Sequence, residues 1–218
     1  MGRNDATGPE PDVAIRLFQW RDWYAMWRLH AHHLAEGGIC AEGGICAEGG
    51  ICVDSSLQGP PDLTLPYDET NPNYPEMDME RIDEAYLAGR GGFWMAWVDE
   101  EPVGHIGGQD TGAFVELRRM YVRLEFRRRG IGSMLVQTLI EHCTERQVPA
   151  IELWTAEDGP GRLLYERFGF RRIALPPGGA RADYEGRDEI RMRLDQASRT
   201  TAAQTTAAQT TAARKPAF

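Results

Sequence analysis

The stretch VELRRMYVRLEFRRRGIG, residues 115–132, combines a strand pattern with an anion-binding turn. Its first half alternates apolar and polar residues, which predicts a β-strand, and it ends in three arginines and Gly-Ile-Gly. The following SMLVQTLIEHCTERQ has apolar residues at helical spacing. Because the first N–H groups of a helix have no partner within it and the helix dipole favours negative charge there, such a turn binds anions. We interpret it as a pyrophosphate site.

The spacing of the glycines shows which of the known phosphate-binding motifs the turn matches. A dinucleotide fingerprint, G-x-G-x-x-G, would need a third glycine where Leu135 stands, and the Walker string G-x-x-x-x-G-K-[ST] is absent. The pattern that fits is R-x-x-G-x-G, formed by Arg127, Gly130 and Gly132. The arginines add positive charge and forked donors that suit phosphate. We refer to residues 127–132 as the glycine turn.

This spacing, together with the preceding LRRMYV and the later LYERFGF, resembles the GNAT superfamily of N-acetyltransferases, which bind acetyl-coenzyme A. The resemblance covers about residues 93–194, with a further part from residue 13. It implies an α/β (α+β) fold with a mixed, mostly antiparallel sheet of six to seven strands, flanked by about four helices. It also implies that the two central parallel strands, residues 115–122 and 150–155, splay apart.

The resemblance assigns the cofactor-binding residues. Backbone groups of the central strand would bond the pantetheine arm and orient the thioester, and amides of the glycine turn would hold the pyrophosphate. The residues assigned in this way are Met120, Tyr121, Val122, Arg127, Arg128, Arg129, Gly130, Ile131, Gly132 and Ser133. Since these contacts are made by the backbone, glycine and helix position matter more than side-chain identity, and part of the arginine run is expected to face solvent.

Catalysis would need an acid for the leaving thiolate and a base for the attacking amine. Tyr165, in LYERFGF, is the candidate acid, because the resemblance places it near the sulfur of CoA and a phenol with pKa ~10 suits a thiol near ~8.5. Glu116 and His105 are the candidate bases. The alternatives are a core role for Tyr165, an ion pair between Glu116 and Arg118, and a buried structural role for His105.

The chain order of the other predicted elements follows from periodicity and from Pro and Gly positions. They are a strand at 13–17, helices at 21–34 and 77–87, a hairpin of strands at 93–98 and 103–109, a motif helix ending at Val148-Pro149, a strand at 151–155, a short helix between Pro160 and Gly169, and a closing antiparallel pair at 170–175 and 189–194. We predict one domain at 13–195, a flexible N-terminal arm at 1–12, and a low-complexity, disordered tail at 196–218.

Residues 35–52 contain AEGGIC three times in tandem. The cysteines Cys40, Cys46 and Cys52 are separated by five residues each, whereas structural zinc sites favour C-x₂₋₄-C pairs, so no metal site is predicted. We interpret the repeat as an expanded insertion in a tolerant loop, and the TTAAQ repeats of the tail support expansion. Whether either repeat has a function stays open.

The composition restricts the classes of partner. A net charge of −9 over 218 residues argues against nonspecific nucleic-acid binding. The apolar runs are too short to span a bilayer, and the first residues lack the apolar core of a signal peptide, so a cytoplasmic protein is expected. The sequence does not determine the oligomeric state, and a homodimer is one option.

The expected function is transfer of an acetyl group from acetyl-CoA to a primary amine of a small molecule or peptide, by direct attack. Cys143 lies in the motif helix and is expected in the core, not as a nucleophile. One alternative is a noncatalytic acyl-CoA-binding or sensor module. Another is a metal- or redox-responsive protein that uses the AEGGIC cysteines. The identity of the acceptor amine is open.

Overall fold

Among the residues that the structure describes, seven strands form one sheet in the order β1-β2-β3-β4-β5-β7-β6. The computed structural model describes residues 12–36, 77–175, 178–180 and 187–196. Neighbouring strands are antiparallel except β4 and β5, which are parallel. The strands are β1 Val13–Leu17, β2 Gly92–Val98, β3 Glu101–Asp110, β4 Val115–Val122, β5 Ala150–Ala156, β6 Arg171–Arg172 and β7 Glu189–Asp195.

Helical segments lie on both faces of this sheet. The α-helices within the described ranges are α1 Trp23–Glu36, α2 Met77–Glu80, α3 Ile131–Glu145 and α4 Pro160–Arg167, with short 3₁₀ turns at Trp20–Asp22 and Leu124–Phe126 and a π-helical turn at Asp83–Leu87. On one face, α3 buries Leu135 and Leu139 against the sheet. On the other, α1 and the α2 region bury Met26 and Tyr86 against β2. The mixed, mostly antiparallel architecture implied by the sequence is confirmed.

The central strands β4 and β5 pair over only three positions. The paired residues are Val115 with Ile151, Glu116 with Glu152, and Leu117 with Leu153. Beyond them, β4 stays bonded to β3 as far as Val122, and β5 stays bonded to β7 as far as Ala156. The strands therefore separate, as the family resemblance implied, and we refer to the space between residues 118–122 and 154–156 as the strand gap.

A β-bulge in β4 lies where the strand gap begins. Arg118 pairs with Gly107 and Tyr121 pairs with His105, so two residues of β4 stand opposite one residue of β3. Arg119, within the bulge, has a φ of +51°, in the left-handed region that non-glycine residues seldom adopt. An extra residue bends a strand and increases its twist. The bulge therefore contributes to the separation of β4 from β5.

The bulge also reverses which side chains face α3. Before it, Leu117 belongs to the core beneath α3; after it, Met120 packs against that core and Val122 belongs to it. The residues that face α3 thus change from an odd-numbered position to even-numbered ones. In a regular strand they would all be odd or all be even, because alternate side chains share a face. Sequence periodicity alone did not show this change.

Two predicted elements differ from the structure. The helix expected over residues 77–87 is divided into α2 and the π-helical turn. The physical reason is tertiary packing, because the Tyr86 ring lies so close to Gly107 that an added Cβ there would be 2.6 Å from it. The closing pair is present, but its first strand has only two residues, Arg171–Arg172.

The predicted arm, repeat insertion and tail fall almost wholly outside the described residues, and so do Cys40, Cys46 and Cys52. The division of the chain into these parts stays a prediction.

An ion pair at the far end of β3 predicts a specific acid dependence of stability. Arg90 contacts Asp110 through Nη2–Oδ1 at 2.8 Å and Nε–Oδ2 at 3.0 Å, and these hydrogen bonds lower the pKa of Asp110 to about 2. A lowered pKa stabilises the fold above the unfolded value of 3.8, and that stabilisation is lost as the pH falls through about 2. Urea unfolding of Asp110→Asn should show a deficit of about 1 kcal/mol at pH 5 that shrinks towards zero near pH 2, because water screens this partly exposed pair. A deficit that does not change with pH would contradict this.

Candidate cofactor and active site

The glycine turn connects the end of β4 to the beginning of α3. Arg127 is extended, with φ −66° and ψ 160°, whereas Arg128 and Gly130 are left-handed, with φ +66° and +83°. The Nε of Arg127 donates to the carbonyl oxygen of Val122 at 2.7 Å. This bond connects the turn to the end of β4, so the Nε–H of Arg127 is used within the protein.

The backbone amides of this turn are available to a ligand. Among the described residues, the N–H groups from Arg128 to Ser133 have no hydrogen-bond acceptor, and no side chain caps the helix. The first helical bond is donated by Met134 to the carbonyl oxygen of Gly130 at 3.0 Å. Successive unpaired amides at the N-terminal end of a 15-residue helix form an anion-binding surface. We refer to these N–H groups as the amide cradle.

The two glycines of the cradle have different surroundings. A Cβ added to Gly130 would meet no described residue within 4 Å, so the described part of the chain leaves the space in front of it open. A Cβ added to Gly132 would lie 3.2 Å from Cε of Met120 and 3.5 Å from Cδ2 of Leu164. The start of α3 therefore lies between β4 and α4. It is next to the part of β4 that is not paired with β5.

Positive charge surrounds the cradle. Arg128 and Arg129 are exposed, and the guanidinium of Arg129 lies 5.3 Å from the ring centre of Phe126. The guanidinium of Arg127 lies 5.8 Å from the ring centre of Tyr121. An anion bound to the cradle would therefore be close to arginine side chains as well as to the backbone.

Tyr165 is buried in α4 beside the end of β5. Its ring meets Phe170 edge-on at 5.7 Å, and a Cβ added to Gly161 would lie 3.4 Å from the Tyr165 ring and 3.0 Å from the Thr155 hydroxyl. Within the described ranges, the Tyr165 hydroxyl makes no hydrogen bond. Burial raises its pKa, so the phenol is protonated near neutral pH and is a donor without an acceptor.

Two carboxylates lie side by side on the face opposite α3. Glu116 and Glu152 are paired in register just before the strand gap, while their apolar neighbours face the core beneath α3. Glu152 is buried and forms ion pairs with Arg191 and with Arg193, the latter at 2.6 Å. Opposite charges thus compensate the adjacent negative charges. Glu152 was not predicted as a site residue, although a glutamate inside the apolar pattern AIELW was a visible signal.

His105 is fully buried under the bulge. Its Nδ1 donates to the carbonyl oxygen of Arg119, and its ring lies near those of Phe93, His30 and Tyr121. Because a carbonyl only accepts, this bond fixes a proton on Nδ1 and leaves Nε2 as the nitrogen that can accept a proton in the neutral ring.

The same bulge is bound by a buried acid that sequence reasoning also missed. Asp78 of α2 contacts Arg119 through two hydrogen bonds, and the Tyr86 hydroxyl donates to Asp78. The consecutive arginines in LRRMYV interrupt the alternation of the strand, but they do not identify Asp78 as a partner.

The structure brings one group of predicted residues together and separates another. The cradle, Met120 and α4, which carries Tyr165, are in contact on the α3 face. Glu116 and His105 belong to the opposite face, Glu116 before the strand gap and His105 against the bulge. Cofactor and acid would therefore lie on one face, and the candidate bases on the other.

The described cysteine does not have the properties of a nucleophile. Cys143 is buried in α3, and burial raises the pKa of its thiol to about 12. In the part of the chain that the structure describes, no three His, Cys, Asp or Glu side chains are grouped so as to hold a metal ion. Among the same residues, no helix is long and apolar enough to cross a membrane.

Comparison with known proteins identifies the relatives of this chain. It is 34% identical over 100 residues to "Probable N-acetyltransferase camello" of Xenopus tropicalis, a match that covers 44% of this chain and 46% of that protein. The chain spans less than half the length of the curated relatives it matches.

Solved structures show the same fold. An acetyltransferase of the GNAT family from Staphylococcus aureus Mu50 superposes with a TM-score of 0.59 at 20% identity, covering 85% of this chain and 99% of that one. A Salmonella typhimurium protein solved with its cofactor acetyl-CoA gives a TM-score of 0.56 at 16% identity, covering 85% and 94%. Residues 62–170 match the family described as Acetyltransferase (GNAT) family, and the chain therefore belongs to the GNAT acetyltransferase family.

Proposed function

We propose that this protein transfers an acetyl group from acetyl-CoA to a primary amine of a small molecule or peptide. The observation that carries the proposal is the amide cradle at the N-terminal end of α3, beside the strand gap. A structural relative contains acetyl-CoA, which supports the choice of cofactor. Family membership supports the reaction type.

The residues present fit the chemistry of CoA. The cradle offers a row of N–H donors and nearby arginines to a diphosphate, and the open space at Gly130 leaves room for one. Residues 118–122 of β4 pair with β3 but are not in register with β5, so an extended chain such as pantetheine could pair with the β5 side of this strand. When bound, acetyl-CoA supplies an acetyl thioester that an amine can attack.

Tyr165 is proposed to act on the leaving sulfur. As the C–S bond breaks and the N–C bond forms, the sulfur takes the electron pair and needs a proton or a strong hydrogen bond. A protonated phenol with no other partner among the described residues can donate one. Since its pKa is raised, Tyr165 is a weaker acid than free tyrosine, and we expect stabilisation by hydrogen bonding to dominate over complete proton transfer.

The attacking amine must lose a proton, and Glu116 and His105 remain the proposed acceptors. Both belong to the face opposite α3, away from the amide cradle, and His105 is fully buried there. His105 would accept through Nε2, since Nδ1 donates to Arg119. The high thiol pKa of Cys143 supports direct attack without an acyl-cysteine.

We propose a cytoplasmic location, the compartment expected from the sequence. A homodimer is also compatible with the proposed activity. The net charge of −9 favours an amine partner over a nucleic acid.

An amine-panel assay tests the function. Wild-type protein is mixed with acetyl-CoA and, in turn, amino acids, polyamines, aminoglycosides and short peptides, and release of the CoA thiol is followed with a thiol reagent. We expect at least one amine to accelerate release, with mass spectrometry showing an added acetyl group on that amine. Binding of CoA without turnover of any amine would contradict the proposal and favour a noncatalytic acyl-CoA-binding module.

A further inference from the structure

A buried ion pair joins α2 to the bulge of β4. Arg119 donates from Nη2 to Oδ1 of Asp78 at 2.7 Å and from Nε to Oδ2 at 2.9 Å, which is the two-point geometry that makes arginine–carboxylate contacts directional. The side chain of Asp78 is 2% exposed and that of Arg119 is 19% exposed. Residues 41 positions apart in the chain are thereby held in one orientation.

A third side chain completes the cluster. The Tyr86 hydroxyl also donates to Oδ2 of Asp78. Burial by itself would raise the pKa of Asp78, but the charge and hydrogen bonds of Arg119 lower it. Burial and the Asp78 charge raise the pKa of Tyr86, so the hydroxyl keeps its proton. Asp78 is therefore an ionised acceptor with donors on both sides.

The backbone of Arg119 is held as well as its side chain. Its carbonyl oxygen accepts from Nδ1 of His105, while its side chain is bound by Asp78. A left-handed conformation at a non-glycine residue costs about 1 kcal/mol and persists only where neighbouring contacts impose it. The φ of +51° at Arg119 is thus maintained by contacts from two different elements, β3 and α2.

The position of this bulge links it to the proposed chemistry. It follows directly after the last pair between β4 and β5, at Leu117 and Leu153, and it sets which backbone groups of residues 120–122 face the strand gap. We propose that Asp78 and Arg119 are positioning residues for acetyl transfer. They fix the bulge, and the bulge fixes the β4 backbone that would hold the thioester end of the cofactor. The inference rests on the proposed function.

A second ion pair provides a matched control. Arg90 and Asp110 have the same two-point geometry, with distances of 2.8 Å and 3.0 Å, but they lie at the end of β3 that pairs with the start of β4. Breaking either pair removes one arginine–aspartate contact. A merely structural role would therefore give Asp78→Asn and Asp110→Asn the same kinetic phenotype.

Three measurements on the full chain separate positioning from structure. They are kcat with the best amine of the panel, the dissociation constant of CoA by calorimetry, and deuterium exchange of the amides in residues 118–122 with and without CoA. For Asp78→Asn we expect kcat to fall about 10- to 100-fold, the affinity for CoA to stay within about 3-fold, and exchange in 118–122 to accelerate. Asp110→Asn should leave kcat and this exchange within about 2-fold of wild type.

Lysine substitutions of the two arginines provide a second test in case Asp78→Asn fails to fold. Arg119→Lys keeps the charge but loses the forked geometry, so it should reduce kcat less than Arg119→Met does, whereas Arg90→Lys should leave kcat unchanged. Equal effects of the Asp78 and Asp110 variants, or unchanged exchange in 118–122 for Asp78→Asn, would overturn the positioning role. If wild type binds CoA but acetylates no amine, the proposed function fails, and the exchange measurement still decides whether Asp78 holds the bulge.

Discussion

Gly130→Glu is expected to weaken the affinity for CoA at least ~100-fold, equivalent to ~3 kcal/mol. The new carboxylate would lie at the N-terminal end of α3, where the unpaired N–H groups attract it, and it would repel a diphosphate from the same place. The open space around Gly130 lets the larger side chain fit without displacing its neighbours. The variant should therefore fold but lose the site, which calorimetric titration with CoA measures.

The matched control is Gly112→Glu. Gly112 also has a left-handed φ, +85° against +83° for Gly130, and a Cβ there would likewise lie more than 4 Å from the other residues that the structure describes. Both substitutions therefore carry a similar backbone cost of about 1 kcal/mol. Gly112 lies in the turn between β3 and β4, at the other end of β4 from the cradle. Loss of CoA affinity in both variants, or in neither, would contradict an amide cradle centred on Gly130.

Tyr165→Phe is expected to lower kcat about 100-fold while the affinity for CoA changes by less than about 3-fold. The substitution removes only the hydroxyl, and the ring keeps its edge-on contact with Phe170. Since the hydroxyl has no hydrogen-bond partner among the described residues, its removal should cost little stability. The assay is steady-state thiol release with the best amine of the panel, at saturating acetyl-CoA.

The pH dependence provides a second readout for Tyr165. Its pKa is raised above the ordinary value of 10, so the protonated phenol persists to higher pH than in free tyrosine. Loss of the Tyr165 proton should therefore produce no fall in kcat below pH 10. The exposed Tyr24, in α1, supplies a control substitution that should leave kcat unchanged. A Tyr165→Phe enzyme with kcat within 2- to 3-fold of wild type would remove the residue from the mechanism.

Local sequence patterns predicted most of the strands, because a strand with one buried face shows alternating apolar and polar residues. The alternation in residues 115–122 predicted β4, and the change to helical spacing after Gly132 predicted α3. The connection of β4 to α3 through the glycine turn was also predictable, since the positions of the glycines and the change of periodicity follow from order along the chain. These features depend on interactions between near neighbours.

The bulge at Arg119 could not be predicted in the same way. It is defined by the register of β4 against β3, and it is held by Asp78, which lies 41 positions earlier. The division of the 77–87 helix has a similar origin, because the Tyr86 ring packs on Gly107 from a distant strand. Glu152 looked like an isolated charge, and only the pairing of β5 with β7 brings Arg191 and Arg193 to it. Each of these depends on tertiary contacts.

The most direct test of the amide cradle is to observe its N–H groups by NMR while CoA is added. Uniformly ¹⁵N-labelled wild-type protein is titrated with CoA and, separately, with pantetheine, which lacks the diphosphate. We predict that CoA shifts the amide signals of residues 128–133 and that pantetheine leaves them in place. If CoA binds without shifting those signals, or if saturating CoA shifts no signal at all, the diphosphate is not held by the N-terminal end of α3.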